Sequence, residues 1–87
     1  MGSSQEYYLG GSRHAVTVWP DGNAWIIDRC LLDATGAAIS TTTLDVQTTR
    51  REAIKVARKK ARDLGFPAYE QTGVYGFTKP IELRRSR

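Results

Sequence analysis

Residues 48 to 65, TTRREAIKVARKKARDLG, form a single long helical pattern whose two ends are both written in the sequence. Thr49 and Glu52 stand at capping-box spacing, in which the hydroxyl and the carboxylate satisfy orphan amides of the first turn. Gly65 followed by Phe66-Pro67 is a stop signal, because glycine accepts the left-handed conformation of a C-terminal cap and proline cannot continue the helix. Ala53, Ile54, Ala57, Ala61 and Leu64 make the apolar face, small enough for close approach to a sheet, with Val56 off that face. A chain with one such helix has to bury it against strands.

The strands lie on both sides of the helix. HAVTVWP alternates in period two, Val16 and Val18 on one face and Ala15, Thr17 and Trp19 on the other. Pro20-Asp21-Gly22-Asn23 favours a tight reversal. AWIIDRCLLD then offers two mainly apolar faces, of which Trp25, Ile27, Arg29 and Leu31 are expected to be core. Ala34-Thr35-Gly36-Ala37 supplies the next turn, and the β-branched run AAISTTTLDV a third strand. After the helix, PAYEQT and FTKPIEL read as short strands around Gly73-Val74-Tyr75-Gly76, with Pro80 restricting the last to an edge. The expected fold is α+β: a three- or four-stranded antiparallel sheet packed on one face by a single helix, in the order βββαβ, with room for a short C-terminal hairpin. Residues 1–12 are expected to be a flexible leader, 13–83 a single domain and 84–87 a basic tail.

Length and composition exclude several function classes. At 87 residues the chain supports one core, and no apolar run approaches the ~20 residues of a membrane span. Cys30 is the only cysteine and lies in an apolar stretch, so it forms no internal disulfide and fits a reduced, cytoplasmic setting. One histidine, His14, and one cysteine do not assemble a conventional zinc site, and no spacing links Cys30 to a base. Asp21, Asp28, Asp33 and Asp45 fall on turns and strand ends, as solvated carboxylates do, and define no acid/base pair. No catalytic residue, metal or cofactor is expected.

Charge is the one functional signal. Residues 1 to 47 carry two basic and five acidic groups, a balance of −3; residues 48 to 87 carry eleven basic and four acidic groups, a balance of +7. A polyanion should therefore approach the helix and tail. Arg51, Lys55, Arg58 and Arg62 share a stripe within about 60° on a 3.6-residue period. Arg50 and Lys59 flank it, and Arg84, Arg85 and Arg87 extend the positive surface into the tail. Arg50 and Arg51 also oppose the positive amino end of the helix, which makes them poor choices for stability alone. Lys and Arg are equally ordinary choices for a solvated helix face, so excess charge does not by itself name a ligand.

Three strands followed by a helix beginning TTRREAIKVARKKA resemble two nucleic-acid folds. One is the double-stranded RNA-binding domain, whose last helix opens with a basic, alanine-rich segment; the resemblance implies phosphate contacts at Arg50, Arg51 and Lys55. The other is the sheet-reading group of integrase arm-binding and plant ethylene-response domains. The order also resembles small bacterial domains of unknown function. The expected function is a non-enzymatic nucleic-acid-binding accessory domain, for DNA or RNA, contacting phosphates through Arg50, Arg51, Lys55, Arg58, Lys59, Arg62, Arg84, Arg85 and Arg87. The alternative is a protein-interaction module that takes an acidic partner or self-associates through sheet edges.

Overall fold

Strand patterns on both sides of a helical pattern in the middle of the chain become two layers. The computed structural model describes residues 13–71 and 76–83; residues 72–75, the expected leader 1–12 and the expected basic tail 84–87 lie outside the described residues. The elements are β1 (Arg13–Asp21), β2 (Ala24–Leu32), β3 (Ala38–Gln47), α1 (Arg50–Leu64), β4 (Ala68–Gln71) and β5 (Phe77–Ile81). They form one five-stranded sheet in the order β3-β2-β1-β4-β5, with α1 against it. The α+β class, the order of elements and the C-terminal hairpin agree with the sequence reading.

Pairing of β4 makes the sheet mixed rather than wholly antiparallel. β1 to β3 form an antiparallel meander, but β4 runs parallel to β1, with Val16 opposite Ala68 and Val18 opposite Glu70. Parallel neighbours require a long crossover, and α1 supplies it. Its 15 residues span about 22 Å, enough to carry the chain from β3 past β2 and β1.

Small side chains let the helix sit close. Ala53, Ala57 and Ala61 are fully buried against Val16, Val18, Ile27, Ala68 and Ile81. Val56, which falls outside the apolar face by spacing, packs at the border of this core, whereas Leu64 is 40% exposed. Thr49 has extended backbone geometry and its side chain accepts from the Glu52 amide at 3.2 Å, a cap that contributes about 1 kcal/mol. Gly65, at φ 76°, closes the other end with its N–H donating to the Ala61 and Arg62 carbonyls.

The face away from α1 is not simply solvated. Ala15, Cys30 and Leu32 are buried there, with Tyr69 and Phe77 packed on them. The hairpin of β4 and β5 accounts for this cover, because it reaches back to the β2–β3 turn: the Phe77 amide donates to the Gly36 carbonyl at 2.9 Å. In a flat sheet β5 and β2 would lie about 14 Å apart, so the sheet curls. The contact demands glycine on both sides. A Cβ on Gly76 (φ 89°) would meet the Gly36 oxygen at 2.7 Å, and one on Gly36 (φ 90°) the Thr78 methyl at 2.6 Å. Gly76→Ala is expected to lower stability by at least about 2 kcal/mol in urea denaturation, whereas Gly22→Ala, with nothing within 4 Å, should lose only the backbone penalty of about 1 kcal/mol.

Candidate nucleic-acid interface

Helical spacing decides which cations act together. Arg51, Lys55, Arg58 and Arg62 are all exposed and lie along the same flank of α1. Arg51 and Lys55 have no hydrogen-bonded or ion-pair partner among the described residues. Arg58 donates through Nε to the Glu82 carbonyl at 2.9 Å, and Arg62 through Nη1 to the Leu83 carbonyl at 3.2 Å. Both acceptors are neutral backbone, so neither guanidinium loses its charge. The two bonds hold the end of the chain after β5 against the stripe.

This arrangement brings Glu82 and Leu83 to the side of the stripe. Leu83 is the last described residue, and Arg84, Arg85 and Arg87 follow it outside the described residues. The stripe therefore ends beside Leu83, a contact that spacing within the helix does not reveal.

Two of the expected contacts are otherwise engaged. Arg50 lies about 100° round the helix from Arg51 and faces β4 instead. There its Nε and Nη2 donate to the two oxygens of Glu70 at 2.6 and 2.8 Å, a bidentate pair. Glu70 is 7% exposed, and Lys79 stands 3.9 Å from its Oε1. The bond from Arg50, against an opposing effect of burial, holds the Glu70 carboxyl below its ordinary value, and Glu70 in turn raises Arg50. Lys59 pairs with Asp63 at 3.2 Å, one helical turn on, with both groups well exposed. Only the second of these pairings is visible in local sequence; Glu70 is twenty residues from Arg50.

Other side chains weighed as chemical groups have structural surroundings. The Cys30 thiol is buried 3.0 Å from Thr17 Oγ1, and burial pushes its pKa up, away from the reactive thiolate. His14 stacks on Phe66 with ring centroids 5.5 Å apart. Among the described residues no group of three or more His, Cys, Asp or Glu side chains is placed to hold a metal ion, and no helix is long and apolar enough to cross a membrane. Asp28 corrects the sequence reading. It lies mid-strand in β2, is 4% exposed and accepts from Trp19 Nε1 at 2.8 Å, so it is no solvated carboxylate. The available signal was a lone charge on a strand face otherwise made of Ala24, Ile26, Cys30 and Leu32.

No family model matches the chain, and no curated protein or solved structure matches it.

Proposed function

We propose that the protein is a small, non-enzymatic nucleic-acid-binding accessory domain. Arg51, Lys55, Arg58 and Arg62 contact backbone phosphates, and Arg84, Arg85 and Arg87 add affinity from the tail. What supports this reading is the hydrogen bonding of Arg58 and Arg62 to the carbonyls of Glu82 and Leu83, which engages both guanidinium groups without neutralising them, just ahead of the basic sequence Arg84-Arg85-Ser86-Arg87. Arg50 and Lys59, being paired, contribute less. Phosphate contacts of this kind give affinity without base specificity. A lone buried Cys30 supports a reduced, cytoplasmic setting for such a role.

Fluorescence anisotropy with a labelled DNA or RNA duplex across a salt series tests the proposal. Four phosphate contacts give a slope of log affinity against log salt near −3.6, a loss of roughly two decades between about 50 and 200 mM. Salt-independent binding, or none at low salt, would refute it.

A second reading, self-association through β3, is favoured by a specific feature. β3 is a ten-residue edge strand with no Lys, Arg or Pro to protect it, and Ile39 and Val46 are 44% and 49% exposed. The opposite edge, β5, carries both Lys79 and Pro80.

A further inference from the structure

Arg58 and Arg62 differ from Arg51 and Lys55 in having something to hold them. A guanidinium presents two donor pairs, one from Nε and Nη2 along its side and one from Nη1 and Nη2 at its end. Arg62 donates from Nη1 to the Leu83 carbonyl at 3.2 Å, which leaves its side pair without a partner among the described residues. Arg58 donates from Nε to the Glu82 carbonyl at 2.9 Å and keeps the end pair in the same condition. Both side chains are exposed, and they start about 6 Å apart, one helical turn along α1. Each can still grip a phosphate with two donors.

The carbonyls are themselves held by an apolar side chain. Glu82 and Leu83 lie past the end of β5, where the ladder with β4 stops at Ile81, so strand pairing does not fix them. Leu83 instead packs, half-buried, on the core cluster that contains Ala57, Ala61 and Ile81. Its docking sets two successive backbone carbonyls against two donors one helical turn apart. An arginine free in solvent loses rotamer freedom when it takes a phosphate, and each such side chain ordered beforehand strengthens binding by roughly two- to tenfold.

We propose that Leu83 is a positioning residue of the phosphate-binding surface: by anchoring the chain after β5, it places the carbonyls that preset the Arg58 and Arg62 guanidinium groups for nucleic-acid backbone phosphates. This role rests on the nucleic-acid function proposed above and gives it a requirement that charge alone does not create. Lysine is a point charge without a planar fork, so it cannot replace arginine at 58 or 62 at no loss. At 51, where no carbonyl orients the side chain, lysine should serve nearly as well.

The test is duplex affinity of the full chain, by fluorescence anisotropy over a salt series. Leu83→Ser keeps every cation, so the slope of log affinity against log salt should hold its native value while affinity falls by about fivefold or more. Leu83→Met, able to refill the same position, should restore native affinity. Arg58→Lys with Arg62→Lys should bring a similar loss at the same slope, and adding Leu83→Ser to that pair should weaken binding no further, because both changes act through one contact. NMR supplies a readout free of ligand: the Arg58 Nε–H should exchange with water more slowly than that of Arg51, and the difference should vanish in Leu83→Ser. Native affinity in Leu83→Ser, or a further loss when it is added to the lysine pair, would overturn the role given to Leu83 alone. A native chain that bound no duplex would overturn the nucleic-acid function and this role with it, while the exchange difference at Arg58 stayed in place.

Discussion

Arg50→Met is expected to destabilise the protein by about 2 to 3 kcal/mol, the largest loss of any single exposed cation. The side chain of Arg50 is half exposed, but its partner is not: Glu70 accepts two short charge-assisted bonds from a buried position on β4. Removing the guanidinium leaves that carboxylate with only Lys79 at 3.9 Å, too distant for a direct hydrogen bond. Breaking one side of such a pair costs more than the pair contributes, because the remaining charge stays away from water. The reverse change, Glu70→Gln, should cost less, since Arg50 then returns to solvent.

The pH dependence follows from the same contact. Glu70 titrates lower in the folded protein than its ordinary 4.5, with the Arg50 bond as the leading cause. Its contribution is therefore complete above that value and is lost as pH falls through the lower, folded-state value. Urea unfolding at neutral pH and again well below pH 4.5 should show the stability gap between native chain and Arg50→Met narrowing in acid. A gap that stayed constant would mean that the pair does not couple to folding.

Reversing the charge at Arg51 and Lys55 together should abolish most nucleic-acid affinity while leaving the fold intact. These two residues make no contact that the structure needs, so a stability change within about 0.5 kcal/mol is expected. Neutral glutamines in their place remove two phosphate contacts, which flattens the salt slope by about 1.8 and weakens binding roughly fiftyfold at about 0.1 M salt. Glutamates add repulsion and should weaken it further. Arg58 and Arg62 are less clean probes, since each also holds a backbone carbonyl at the end of the chain. If the double variant bound as well as the native chain, the stripe would have no part in recognition.

Local signals carried the helix and the first three strands. Thr49, Glu52 and Gly65 act within a few residues of themselves, and alternation at Val16 and Val18 or Trp25 and Ile27 is a property of one strand. What was not legible depends on distant pairing. Nothing in Ala68–Gln71 tells that this four-residue strand returns beside β1 and parallel to it; that follows from the length of the crossover helix and from which sheet edge is open. The same placement sets Glu70 opposite Arg50 and Phe77 beside Gly36, so the neutralised cation and the curled face emerged only with the tertiary fold. The stripe itself was readable, because four residues on one helix need no partner to be aligned. The hydrogen bonds of Arg58 and Arg62 were not, since their acceptors are two backbone carbonyls more than twenty residues away.

The most direct test of the proposed interface is a map of backbone amide shifts in the uniformly labelled protein during titration with a short duplex at low salt. Perturbations concentrated on residues 51 to 62 and on the segment from Glu82 to Arg87, fading as salt is raised, are the expected result. Perturbations centred instead on β3, or a spectrum unchanged by the duplex, would contradict the role assigned to the basic flank of the helix.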